Sequence, residues 1–581
     1  MLYKYYALFC VLSPAVICAE EQAILGPAFE KPTRIADEAA FATIAESTNT
    51  VLQDMFLTGR TSYGNLHGND TALSVNMVSL DCSAPLFDYH FTPSTLNTSA
   101  GSTSSVTADS MYRIGSISKL FTVYTLLVNG GRKIWDAPVT EFLPELKQSN
   151  HQNASAIDRV RWDTVTVGGI ASQLGGIGRD SDSGDLATSG FPATAAGLPS
   201  LLPSEIPSCG ENGDLLPCDR AEFFHTYTQR HPVFLSYNTP IYSNSGFRLL
   251  AYVIDAITRL SYNEVLQDTV LKPLGLGNTM PITPTEKGRG VIPKGDSGFF
   301  RQYGDEVATA GIYASSGDLS QFGKSILQSK QLSVTETLRW MKPQAHTSSL
   351  TFSVGAPWEI WRVKTGVTSG RITDLYTKSG SVGVYNSLLI LIPDYNVAIS
   401  MVSAGPDSAL ALKMASETTV QQFVPIIESI ARAQSCKRYC GKYASSRTNS
   451  SLVLGVDETV SGLVVKEWIS RGKDIKAFAQ AYSDSTGNGA ITNIKVLPTD
   501  LSTVGASGTN ISHRAIIEAL PAAYNPVTTR VFNVNASAWG SVDLIMYGNV
   551  AVDDFVFQVK STGVADSVNI RVLRDVLHKV A

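Results

Sequence analysis

Residues 113–120 read RIGSISKL and lead into the apolar run LFTVYTLLV, which the pair Gly130 and Gly131 stops. The run predicts a helix, with Lys119 one turn inside it, on the face that has to be buried. A buried ammonium is costly unless something holds it. The fold must therefore supply a polar site here, or the helix cannot pack. Helical residues three apart share a face, which sets the Lys119 ammonium beside the Ser116 hydroxyl. Ser116, at the helix start, also puts its own N–H among the unpaired donors there, where an oxyanion is stabilised. Protonated lysine is a poor base and neutral serine a poor nucleophile, so such a pair needs further groups before it can do chemistry.

The chain has 581 residues, 44% of them hydrophobic, which is enough for more than one core. A net charge of −5 gives no electrostatic reason to expect nucleic acid or an anionic membrane as a partner. No dinucleotide- or phosphate-binding fingerprint occurs, and the eight histidines show no metal-ligand spacing. Lys4, the apolar run YYALFCVLSPAVICA and the small Ala19 before Glu20 and Glu21 read as a signal peptide over 1–19. The run is too short and interrupted to span a bilayer, so the expectation is a secreted protein with no membrane attachment once it is removed. The alternative is an uncleaved N-terminal anchor.

An oxidising compartment favours disulfides. CGENGDLLPC predicts Cys209–Cys218 and CKRYC predicts Cys436–Cys440, which leaves Cys82 over. Glycosylation sequons stand at Asn69, Asn97, Asn153, Asn449, Asn510 and Asn535. A Ser/Thr-rich chain yields about that many by chance, so they add little to the case for secretion.

Residues 92–110 are Ser/Thr-rich and read as a loop. From Tyr112 to about Ile430 helical and strand patterns alternate. GFRLLAYVIDAITRL has helical spacing, and YNSLLILIP with YNVAISMVS predicts two buried strands joined as a hairpin at Pro393-Asp394. Residues 408–434 read as helices closing this domain. Beyond Cys436 short β-rich runs are broken by Gly, Asn and Asp. The expected organisation is a catalytic domain over 20–435 and a mainly β domain over 436–581.

Two more short stretches complete a set. IYSNSG places Tyr242 and Asn244 just before the GFRLLAYVI helix, and YTKSGSVG places Lys378, Ser379 and Gly380 before the hairpin. Ser-x-x-Lys, Tyr-x-Asn and Lys-Ser/Thr-Gly, in this order, resemble the three signatures of serine β-lactamases and penicillin-binding proteins. The Tyr-x-Asn form resembles the class C enzymes and their esterase relatives. GRKIWDAPVTEFLPEL, VTVGGIASQLGGI, VLKPLGLGNT and AGIYASSGDLSQFGKSIL are also similar to family segments. The resemblance runs from about Tyr112 to Val402. The linker and C-terminal part resemble those of secreted fungal β-lactamase-like proteins.

That resemblance implies an α/β (α+β) fold: an antiparallel sheet flanked by helices, with a helical subdomain and the site between them. It implies that Ser116 attacks an ester, amide or lactam carbonyl of a small molecule and forms an acyl-enzyme. Tyr242 would be the base, its ordinary pKa of about 10 brought down by Lys119 and Lys378. Asn244 would orient Lys119 and bind substrate. The oxyanion hole would be the N–H groups of Ser116 and of Ser381, after Ser379 and Gly380. No metal or organic cofactor is called for, and a monomer is expected.

Decoys exist. Ser470 and Lys473 repeat the Ser-x-x-Lys spacing, but Gly472 argues against a helix there. VKTG at 363–366 is a closer literal match to the third signature, yet it leads into a polar turn, whereas TKSG leads into the apolar hairpin. There is no Gly-x-Ser-x-Gly elbow, nor the Glu-x-x-Leu-Asn of class A enzymes. Hydrolysis, acyl transfer to an alcohol or amine in small-molecule biosynthesis, and a sensor that acylates and stops all share these residues.

Overall fold

The computed structural model describes residues 25–149, 155–181, 184–210, 215–364, 371–487, 489–520 and 537–580. The expected signal peptide and the sequons at Asn153 and Asn535 lie outside them. The chain divides into two units. One comprises Pro32–Val363 and Thr373–Ile427; the other comprises Lys364–Ile372, Glu428–Ala581 and the chain up to Lys31.

The first unit is built on an eight-stranded sheet. Its order is Phe87–Phe91, Ala72–Ser79, Val397–Ala404, Tyr385–Ile392, Ile372–Val382, Glu359–Lys364, Phe352–Val354, Ala345–His346. The predicted hairpin is there: Tyr385–Ile392 pairs antiparallel with Val397–Ala404 across the turn Pro393–Tyr395. Every residue of Val397–Ala404 is buried, because both faces of the sheet are covered. On one face the helix Ser316–Leu327 lies so close that a Cβ on Gly323 would meet Leu391 and Ala398. On the other, Phe423 packs against Phe87 and Phe41, the latter from the helix Ala39–Thr58.

Two of the strands ahead of Ser116, Ala72–Ser79 and Phe87–Phe91, extend this sheet beyond the sequence expectation. The 92–110 segment carries no strand and only the short turn Thr98–Ala100. In place of several closing helices there is one, Ser408–Tyr439, with Pro425 in its interior. It runs past Cys436, so the expected boundary at 435/436 falls inside a helix.

In the second unit nine strands form one antiparallel sheet, and pairing of Ser450–Asp457 with Val460–Ser470 and of Gly441–Ser445 with Asp575–Lys579 closes it. With the two-residue strand Lys473–Asp474 set aside, eight strands make a barrel. Its interior holds Tyr443, Leu454, Trp468, Val496, Phe555, Phe557 and Leu577, so it is a packed core. Both expected disulfides are present, Cys209–Cys218 and Cys436–Cys440, and Cys82 is free. Asn69, Asn449 and Asn510 are exposed; Asn97 is half-buried, its side-chain oxygen accepting from the Ala100 N–H. No helix among the described residues is long and apolar enough to cross a membrane.

Candidate active site

Ser116 sits in a 3₁₀ turn, Gly115–Ile117, that opens directly into the helix Ser118–Asn129. The helix is buried almost throughout and ends at Gly130, where the sequence places its stop. Lys119 is fully buried. Its ammonium donates to Ser116 Oγ at 3.0 Å and to the Thr309 carbonyl at 2.9 Å. That carbonyl belongs to a π-helical turn, Val307–Gly311. Such turns break the ordinary hydrogen-bond ladder and recur at functional sites. Thr122, one turn after Lys119, donates to the neighbouring Ala308 carbonyl at 2.7 Å. The helix is thus pinned along the face that carries the lysine.

Tyr242 and Asn244 stand at the entry to the helix Asn244–Thr258. Ser243 between them caps it, its Oγ accepting the Gly246 N–H at 3.0 Å and donating to the Gly178 carbonyl at 2.7 Å. Lys119 Nζ lies 4.9 Å from the Tyr242 ring centre, Lys378 Nζ 5.4 Å and the Arg179 guanidinium 5.0 Å. Burial is the largest single influence and opposes the phenolate, but the Lys119 and Lys378 charges, with hydrogen bonds from Ser116 and Lys119, together outweigh it. The Tyr242 phenol is held below its ordinary pKa. Burial lowers the Lys119 pKa, partly offset by Tyr242 and reinforced by Lys378. Burial is the largest influence on Lys378 and acts against its charge, but the Glu359 carboxylate and Tyr242 together outweigh it and raise the pKa. The site therefore joins one firmly charged lysine to a tyrosine–lysine pair with weakened hold on its protons.

Lys378 lies on the strand Ile372–Val382, 1% exposed, opposite Leu389 of the hairpin. Its ammonium donates to Glu359 and to the Ser379 carbonyl, while the other Glu359 oxygen accepts the Ser379 N–H at 2.8 Å. This strand touches the Ser116 turn backbone to backbone. A Cβ on Gly380 would lie 2.0 Å from the Ile114 carbonyl and 2.9 Å from Ser116 N; one on Gly115 would lie 2.6 Å from Ser381 N. Ser387 fastens the contact by donating to the Ile114 carbonyl at 2.7 Å. The N–H groups of Ser116 and Ser381 are thereby brought to one place, while the Ser379 and Ser381 side chains face solvent. Gly380→Ala is expected to slow labelling by a serine-reactive phosphonate on the order of 100-fold, the usual cost of an ångström of misplacement. A rate within a few-fold of wild type would show that this contact does not set the site.

One expected bond differs. Asn244 does not orient Lys119, whose side-chain bonds go to Ser116, Thr309 and Tyr242. The Asn244 amide instead donates to Asp180 at 2.7 Å, so it is turned toward the loop behind Tyr242. Glu359, Thr309, Arg179 and Asp180 escaped the sequence reading. For Glu359 the nearest signal is a lone acid among aromatics in WEIW, on the strand next to Lys378. The decoys resolve. Ser470 and Lys473 pair across a tight hairpin through Arg471 and Gly472, both at positive φ, so no helix aligns them. Of VKTG, Lys364 ends the strand Glu359–Lys364, and Thr365 and Gly366 lie outside the described residues.

Comparison with known proteins bears on the whole chain. A family described as "Beta-lactamase" matches residues 90–419, and one described as "Beta-lactamase-like-like, C-terminal domain" matches residues 431–581. A "Beta-lactamase-like protein" of Arthroderma benhamiae is 29% identical over 584 residues, covering 94% of each chain. A "Probable hydrolase" of Phoma sp. is 24% identical over 79% of this chain and 76% of its own. Among solved structures, a class C β-lactamase superposes with a TM-score of 0.46 at 14% identity, covering 65% of this chain and 96% of that one. The family match takes in Ser116, Lys119, Tyr242, Asn244 and Lys378 together and spans more than half the sequence: this chain belongs to the β-lactamase family of hydrolase folds.

Proposed function

We propose that the protein is a secreted serine hydrolase that opens an ester, amide or β-lactam of a small molecule through an acyl-enzyme on Ser116. The observation that carries this reading is the Ser116–Lys119 contact at 3.0 Å beside a tyrosine whose pKa is lowered. In the reaction Tyr242, as phenolate, takes the Ser116 proton while Oγ attacks the carbonyl carbon. The oxyanion is held by the N–H groups of Ser116 and Ser381. The phenol then returns the proton to the leaving alcohol or amine, and water, deprotonated the same way, releases the acid. Lys119 and Lys378 keep the phenolate charged. Asn244 anchors the loop at Asp180 through its amide N–H, which leaves its side-chain oxygen to meet the substrate. The 436–581 domain takes no part in these steps.

Secretion is supported by the N-terminal pattern and by two disulfides, which persist in oxidising compartments. The test of function is pre-steady-state hydrolysis of p-nitrophenyl acetate by purified monomer in plain buffer. A burst of one equivalent followed by continued turnover is the expected result. A burst with no turnover fits the acylate-and-stop sensor, turnover that needs an added alcohol or amine fits the acyltransferase, and the absence of both burst and turnover overturns the reading.

A further inference from the structure

Asn244 has a neighbour that decides which end of its side chain the substrate meets. Arg179 and Asp180 are tied to the start of the helix Asn244–Thr258 through the backbone: the Arg179 carbonyl accepts the Asn244 N–H at 2.8 Å and the Ser245 N–H at 3.1 Å. Asp180 is thereby fixed beside Asn244. One of its oxygens accepts the Asn244 amide at 2.7 Å, and the other is paired with Arg179 Nε at 3.1 Å. A carboxylate accepts hydrogen bonds and cannot donate them. The corner of the Asn244 amide that Asp180 holds is therefore the nitrogen, and the oxygen is the opposite corner. Asn244 is half-buried, and no donor to that oxygen is found among the described residues. The residue stands at the reacting centre: its backbone carbonyl accepts from Thr309 Oγ1 at 3.2 Å, and the Thr309 carbonyl holds Lys119.

We propose that Asp180 is a positioning residue that sets substrate choice: by holding the Asn244 nitrogen it turns the Asn244 oxygen to the substrate, so the site selects acyl groups that bring a hydrogen-bond donor beside the scissile carbonyl. The inference rests on the acyl-enzyme reading and adds which substrates that site prefers. It also makes Asp180→Asn a specific exchange. The oxygen of the new amide stays with the Arg179 cation, because a charge-assisted hydrogen bond is the stronger one. Its NH2 group then faces Asn244, which meets it with its oxygen, and the Asn244 nitrogen turns to the substrate.

Hydrolysis of p-nitrophenyl N-acetylglycinate and of p-nitrophenyl acetoxyacetate by the full-length protein tests it, with nitrophenolate release as the readout. The two esters differ only by N–H against O, a donor against an acceptor. The ratio of kcat/KM for the first over the second is expected to be about five-fold higher in the wild type than in Asp180→Asn, the worth of one hydrogen bond. The intrinsic reactivity of the esters cancels in that comparison, and a loosened site lowers both rates and leaves the ratio alone. Asn244→Leu should show the same lowered ratio. A wild-type ratio in Asp180→Asn or in Asn244→Leu overturns the proposal, and so does a wild-type protein that turns over p-nitrophenyl acetate but not the N-acetylglycinate. p-Nitrophenyl acetate carries neither group, so failure with it strikes the acyl-enzyme reading, whereas normal turnover of it with an unchanged ratio strikes this inference alone. Should Asp180→Asn fail to fold, the ratio in Asn244→Leu decides.

Discussion

Ser116→Ala is expected to reduce ester turnover by about a million-fold, the scale on which nucleophile removal acts in other serine hydrolases. Covalent labelling by a phosphonate should vanish altogether. The protein should still melt cooperatively near the wild-type temperature, because the half-buried Oγ contributes only its hydrogen bonds with Lys119 and Tyr242. Ser470→Ala should leave both readouts untouched, since its lysine partner faces it across a hairpin. Intact-mass spectrometry after phosphonate treatment measures this directly. Labelling that survives in Ser116→Ala, or disappears in Ser470→Ala, would relocate the nucleophile.

Tyr242→Phe should slow acylation by about two to four powers of ten, the size of a general-base effect, with less change in substrate binding because the ring remains. The pH dependence carries the sign. Lys119 and Lys378 hold the Tyr242 phenol below its ordinary value, so the phenolate fraction, and with it the acylation rate, should rise with pH through an apparent pKa under about 10. That value belongs to the coupled set of Tyr242, Lys119 and Lys378. Lys378→Ala removes one cation and should move the rising limb to higher pH. Acylation by one activated ester, measured against pH in all three proteins, checks it. If Tyr242→Phe keeps the wild-type rate and profile, Lys119, whose own pKa is lowered and which already touches Ser116, is the base.

The residues around Ser116 were readable in the sequence because each sits in a short local pattern. Lys119 interrupts an apolar helix, Tyr242 precedes a helix cap, and Lys378 leads an apolar hairpin. Choosing Lys378 over Lys364 needed only the hydrophobicity of the residues downstream of each lysine. Glu359 was not readable, because its contact with Lys378 depends on which strands become neighbours, and that is decided by the whole sheet. The strand Ala72–Ser79 was missed for a different reason. Its residues ALSVNMVS mix Ser and Asn into what should look like a buried strand, and only the helix Ser316–Leu327 makes sense of them: Ser320 donates to the Asn76 carbonyl beneath it. Closure of the barrel likewise rests on the pairing of its first strand, Gly441–Ser445, with its last, Asp575–Lys579, and neither strand alone says that it will meet the other.

The backbone contact between the Ser116 turn and the Lys378 strand also divides the site by how freely it can diversify. Gly115 and Gly380 are closed to variation, since each extra carbon meets main chain within 3 Å. Ser379 and Ser381 flank Gly380 with exposed side chains and meet no such barrier. A lineage acquiring a new substrate could therefore change the two serines on either side of Gly380 while the glycines between and opposite them stay fixed. Within this strand, novelty and constraint alternate residue by residue, because successive side chains point to opposite faces.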